Sequence, residues 1–194
     1  MKTDSFNHST YLLRRKVFKI FGGAFHIFAP DGSLAFFSSQ RAFKLKEDIR
    51  VYTDDTKQNE VLVIRARNVL DISATYDVID SRDGAKVGAL RRKGMKSILK
   101  DEWLFLDARD AEIGMIQEDS MALALLRRWV LGVLLPQTYH GTIAGKPVCR
   151  FSRNFNPFVS KVQLDFSPDV SGALDRRLGI ASAVLLLAIE GKQN

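Results

Sequence analysis

Cysteine and histidine are scarce in this chain, and no apolar run is long enough to cross a bilayer. The single cysteine, Cys149, cannot close an internal disulfide, which excludes a disulfide scaffold and implies a reducing, cytoplasmic setting. His8, His26 and His140 are scattered, none in an HExxH or similar ligand spacing, so no metal site and no cofactor is expected. The first ten residues contain Asp4 and lack an apolar h-region, so no secretory signal is expected either.

Catalytic patterns are also lacking. Cys149 lies in an alternating strand with no base beside it in sequence, which reads as a buried thiol. Gly141 to Lys146 (GTIAGK) is one residue too short for a phosphate loop, and Pro147 stands where a Ser or Thr would bind magnesium. The pairs Asp80/Asp83 and Asp107/Asp110 recur at equivalent turns, which makes them turn caps rather than an acid/base couple. The chain reads as non-enzymatic.

What is present is ordinary globular material: 194 residues, 46% hydrophobic, 26% charged, with 13 Gly and 5 Pro. The formal net charge is +7, which suits an anionic partner such as a lipid headgroup, a nucleic acid or an acidic protein. One cassette recurs, an alternating apolar run, an Asp/Gly turn and a second apolar run. It appears at Phe25–Phe28 with Pro30-Asp31-Gly32 and at Ile49–Tyr52 with Asp54-Asp55. It returns at Tyr76–Ile79 with turn 80–84, at Trp103–Leu106 with turn 107–110, and at Tyr139–Arg150 turning at 144–147. Period-two apolarity flanked by such turns marks antiparallel hairpins, because Asp caps its own turn and Gly accepts positive φ. A meander with one apolar face must curl into a barrel or find a cover.

The cover is at the end of the chain. Leu178 to Ile189 (LGIASAVLLLAI) is uncharged, and a helix apolar all the way round is buried or in a membrane. Its length of roughly 18 Å falls short of the ~30 Å hydrocarbon thickness, so burial is expected. Leu178, Ile180, Val184, Leu185 and Leu187 are the expected core residues, with Asp175, or Ser171 ahead of it, as the helix cap. Met121 to Leu135 breaks the hairpin rhythm and reads as a helix with Arg127 and Arg128 on one side, packed across a barrel end or contacting a membrane or partner. Residues 1–10 read as a flexible tail and 11–190 as a single domain, with a helical insertion at about 121–135 and the core helix at about 174–190.

Tyr11–Phe18 leading into Phe25–Gly32, then Phe43-Lys44-Leu45, the Gly145-Lys146-Pro147-Val148 turn and the terminal helix stand in an order that resembles LURP-one-related proteins. That family is similar to phospholipid scramblases and to the tubby C-terminal domain, and the resemblance spans roughly Tyr11 to Glu190. It implies a mainly β (α+β) fold, a closed antiparallel β-barrel of about twelve strands around a central hydrophobic C-terminal helix. It also implies several functions, since tubby domains bind phosphoinositides, scramblases bind calcium and are linked to lipid movement, and LURP-one-related proteins mostly have no assigned biochemistry. The chain departs from scramblases in having one cysteine and in reducing their acidic calcium loop to Asp165, Asp169 and Asp175, which lack the Gly and closing Glu of an EF-hand.

The remaining functional signal is basic. Arg91, Arg92, Lys93 and Lys96 form the densest run, and Arg14, Arg15 and Lys16 a second. If the barrel brings two such runs together, the patch would attract anionic phospholipid headgroups at about 1 kcal/mol per basic residue. The expected protein is a peripheral, cytoplasmic binding module. The alternatives are a nucleic-acid or protein-interaction module, disfavoured by the lack of paired exposed aromatics in a strand, and a scramblase-like protein that inserts its last helix.

Overall fold

The computed structural model describes residues 5–16, 23–40, 48–67, 74–93, 102–118, 137–154 and 159–190. Twelve strands lie among them: β1 (Thr10–Lys16), β2 (Gly23–Phe28), β3 (Leu34–Gln40), β4 (Ile49–Tyr52), β5 (Glu60–Ala66), β6 (Thr75–Asp80), β7 (Lys86–Arg92), β8 (Glu102–Leu106), β9 (Glu112–Glu118), β10 (Gln137–Ile143), β11 (Lys146–Asn154) and β12 (Val159–Asp165). One helix follows, α1 (Arg176–Glu190). Each strand pairs antiparallel with its chain neighbours, and β12 pairs back onto β1, Leu13 opposite Val162, which closes the barrel and leaves no free sheet edge.

The five hairpin turns, β2–β3, β4–β5, β6–β7, β8–β9 and β10–β11, share one end of the barrel, the turn end. The links from odd to even strands, 17–22, 41–48, 67–74, 93–101, 119–136 and 155–158, begin and end at the opposite or loop end. Each of the five hairpins shifts register beside its turn, at Ile27/Phe28, Val51/Tyr52, Val78/Ile79, Phe105/Leu106 and Gly141/Thr142. A bulge adds twist and bends the strand, as tight closure of short strands demands. Side-chain carboxylates stabilise the turns as expected: the N–H of Ser33, Thr56, Arg82 and Arg109 donates to Asp31, Asp54, Asp80 and Asp107 respectively, each at 2.8–3.0 Å. Gly84 takes positive φ in its turn, and Asp110, one of the few residue types that tolerate it, does so in the repeat copy.

Alternation places Tyr11, Leu13, Phe25, Ile27, Leu62, Ile64, Val78, Leu90, Phe105, Phe151 and Leu164 inside, where α1 fills the axis. Leu178 and Ile180 to Ala188 are each at most 3% exposed, on every side of the helix. The expected core residues Leu178, Ile180, Val184, Leu185 and Leu187 are therefore buried, as an apolar helix requires. The helix starts at Arg176, and the Arg177 N–H donates to Asp175 Oδ1 at 2.9 Å, the expected cap. Buried Asp169 accepts the N–H groups of Ala173 and Leu174 just ahead of it at 2.8 and 3.0 Å.

One expectation is corrected. Within the presumed 1–10 tail, Phe6 is 7% exposed, with its ring 4.6 Å from that of Phe36. Tyr11 donates its hydroxyl to Ser5 O at 2.8 Å, the Phe166 N–H donates to Ser9 O at 2.8 Å, and Thr10 already opens β1. Residues 5–9 thus close the turn end, because an aromatic side chain next to an open barrel mouth gains more by burial than the chain loses in freedom. Residues 1–4, the expected helical insertion at about 121–135, and the side chain of Ile189 lie outside the described residues.

Where α1 leaves the turn end, the Phe166 ring lies against the backbone of Gly179, and the Arg176 guanidinium stacks over that ring at 4.2 Å. A methyl group at position 179 would overlap the ring edge. Gly179→Ala is therefore expected to destabilise the fold by about 1–2 kcal/mol, the overpacking cost exceeding the ~1 kcal/mol helix-propensity gain. Denaturant unfolding followed by circular dichroism checks this, and a stabilised variant would show that the ring yields freely.

Candidate functional site

The two ends of the barrel pin the two ends of α1. At the turn end Asp80 is 1% exposed and accepts from Arg82 Nη2 at 2.6 Å and Arg177 Nη1 at 2.7 Å, while Arg177 Nη2 also reaches Asp175 at 2.6 Å. The Arg82 guanidinium, with the Arg82 N–H and Arg177, holds the Asp80 carboxyl well below the usual carboxylate range despite burial. At the loop end Arg15 points inward and donates from Nη1 to Leu187 O at 3.1 Å, with its guanidinium 5.6 Å from the Phe25 ring centre. A cation at a helix C-terminus meets the negative end of the dipole and orphan carbonyls. Burial, together with the nearby positive charge of Arg153, lowers the Arg15 pKa from its ordinary value.

The expected anion patch is thus rearranged. Arg15 is 8% exposed and caps the helix, so it leaves the surface set, because its place in the alternation after Tyr11 and Leu13 turns it inward. Arg14 is exposed on the outer wall, over the Phe28 ring at 5.7 Å. Arg91 is outward and 3.6 Å from Glu112, and Lys93 is 3.6 Å from Glu102. Arg92 follows Leu90 toward the interior, and its backbone N–H donates to Ala74 O at 3.0 Å. Lys96 and the Lys16 side chain lie outside the described residues. In the strand order β1 and β7 are six steps apart in either direction, so the two basic runs share the loop end but occupy opposite walls.

By sequence, the links from odd to even strands hold ten Lys or Arg and five Asp or Glu, of which Arg67, Lys93 and Asp48 are among the described residues, whereas the turn-end links 29–33, 53–59, 81–85, 107–111, 144–145 and 166–175 hold three and eight. On the outer wall from β4 to β9 the cations are paired: Arg50 with Glu60 at 2.6 Å, Arg65 with Asp48 at 3.2 Å, and Arg67 with Asp77 at 2.6 Å. Lys86 bridges Asp77 at 3.2 Å and Asp110 at 2.6 Å. Asp110, also bonded to Arg67, is held down to about 2 by Arg67 first and Lys86 second.

The opposite wall carries a feature that strand periodicity alone does not show. Neighbouring strands align Asn154, Lys161, Arg14, His26, Phe37 and Tyr52 as one rung, each opposite the next. The His26 ring meets Phe37 edge-on at 5.2 Å and lies near-parallel to Phe28 at 6.2 Å, and Lys57 stands over Phe37 at 5.7 Å. The sequence signal was the alternation of Phe25-His26-Ile27-Phe28, which sends His26 and Phe28 outward, but their neighbours depend on register.

Burial pushes the Cys149 thiol up from its usual pKa, so it is not a thiolate nucleophile of ordinary reactivity. The interstice between Leu90, Trp103, Ile116, Ser182, Leu185 and Leu186 has no room for a water molecule. Among the described residues no group of three or more His, Cys, Asp or Glu side chains could hold a metal ion, and no helix is long and apolar enough to cross a membrane.

A closed antiparallel barrel plugged by its own C-terminal helix defines the class. The family model described as LURP-one-related matches residues 34–187, and the chain belongs to that family. No curated protein and no solved structure matches the chain.

Proposed function

We propose that this chain is a non-enzymatic, tubby-like binding module whose loop end engages anionic phospholipid headgroups, phosphoinositides included, as a peripheral protein of the cytoplasmic membrane face. The composition of the links supports the reading: those that join odd to even strands hold ten Lys or Arg against five Asp or Glu in the sequence, and basic segments are drawn to an anionic surface. Among the described residues Arg91 and Lys93 are held by ion pairs at 3.6 Å whose basic partners are exposed, and such pairs are worth little in water, so phosphate oxygens compete well for them. The candidate carboxylate pairs support a non-catalytic role, because Asp80, Asp107 and Asp110 are committed to turns and arginines. The scramblase-like alternative is opposed by the position of α1, since its insertion would require opening the barrel core.

Flotation with phosphatidylcholine vesicles, with and without phosphoinositide, tests this. The wild-type protein is expected to float only with the charged vesicles, and R91E/K93E to lose most of that retention. Equal retention of the variant, or no retention of the wild type, rejects the loop-end site.

A further inference from the structure

We infer that the outer wall formed by β11, β12, β1, β2, β3 and β4 is a binding surface for single-stranded nucleic acid, separate from the lipid reading above. The rung from Asn154 to Tyr52 crosses six strands, about 24 Å at ~4.8 Å per strand, and orders an amide, two cations, an imidazole and two aromatic rings in one line. Whereas the β4–β9 wall neutralises its cations, no carboxylate among the described residues pairs with Arg14, Lys57 or Lys161. Cations with no carboxylate partner among the described residues, beside the part-buried rings of His26, Phe28 and Tyr52 with Phe37 buried between them, are what a single strand uses: phosphates along the positive groups and bases against the accessible π faces. A duplex keeps its base faces stacked and would engage only the charges. A bilayer fits less well, since these rings lie in a convex wall rather than projecting from it, and stacking needs a face where insertion needs a protruding side chain.

The lipid alternative is an arm of the test. Fluorescence anisotropy of a labelled oligothymidylate is measured across a salt series, with a duplex of equal length and anionic vesicles as competitors. The wild type is expected to bind the single strand in a salt-sensitive way and to prefer it to the duplex. R14A/K161A should reduce the log–log salt slope by about 1.4, two phosphate contacts at ~0.7 each. H26A/Y52A should weaken binding at least about fivefold at fixed salt with the slope unchanged, a stacking loss of roughly 1 kcal/mol or more. R91E/K93E should leave oligonucleotide binding intact, so failure of the loop-end reading and failure of this one remain distinguishable. Thermal melts of each variant confirm folding. The inference is overturned if the wild type does not bind, if both wall variants bind as the wild type does, or if the duplex competes equally. It is also overturned if R14A/K161A abolishes vesicle binding while oligonucleotide binding persists, which would make the wall a membrane face.

Discussion

Replacing Leu185 with Asp is expected to abolish the folded state rather than weaken a surface contact. Leu185 is 1% exposed and faces Leu90, Trp103 and Ile116 across an interstice too tight for water. The substitution removes about 2–3 kcal/mol of side-chain burial and adds the cost of a carboxylate with no water and no cation among the residues that line that interstice. Their sum approaches the 5–15 kcal/mol by which a domain is stable. Truncation after Gly172 should do the same, because it empties the axis around which all twelve strands close. Loss of the cooperative thermal transition and of near-ultraviolet dichroism is the expected readout. A truncated chain that stayed folded would show that the barrel stands without its plug.

The second large effect is expected at Asp80, which ties the turn after β6 to the start of α1. Removing one partner of a buried ion pair strands the other, at a cost of several kcal/mol when burial is complete. Arg177 and Arg82 are partly open to water, at 28% and 55% exposure, so about 3 kcal/mol is expected for Asp80→Ala. For a domain of this length that corresponds to a melting temperature lower by roughly 6–12 °C. The acid limb should change too. Because the folded-state pKa of Asp80 lies below its unfolded value, its contribution is complete above about pH 4 and is lost as pH falls toward the folded pKa. Wild-type stability should therefore drop on acidification below about pH 4, and Asp80→Ala should drop less steeply over the same interval. Parallel acid limbs for the two proteins would mean that Arg82 and Arg177 do not hold this carboxylate.

The hairpins were readable because each has local causes: Asp31, Asp54, Asp80 and Asp107 cap their own turns two residues on, which is a short-range event written in adjacent letters. The burial of α1 was readable from its length and the lack of any charge. Closure of the sheet, by contrast, rests on the pairing of β1 with β12, some 150 residues apart, and nothing local to Leu13 specifies Val162 as its partner. For the same reason the basic residues could be named but not placed. Arg14 and Arg15 are adjacent in sequence, yet one lies on the outer wall and the other against Leu187 O, since successive strand residues face opposite sides. The integration of Phe6 into the core was missed because its partner, Phe36, lies thirty positions away.

By itself, then, the sequence determined the hairpin cassettes, the apolar terminal helix, its cap at Asp175 or Ser171 and the excess of positive charge, all consequences of local propensity and composition. Only the tertiary structure decided which residues share a wall or an end. Strand order and register separated the Arg14 and Arg91 runs and built the rung from Asn154 to Tyr52. Register is set by closing the barrel around α1, and a slip of one residue would turn every one of those side chains to the other face.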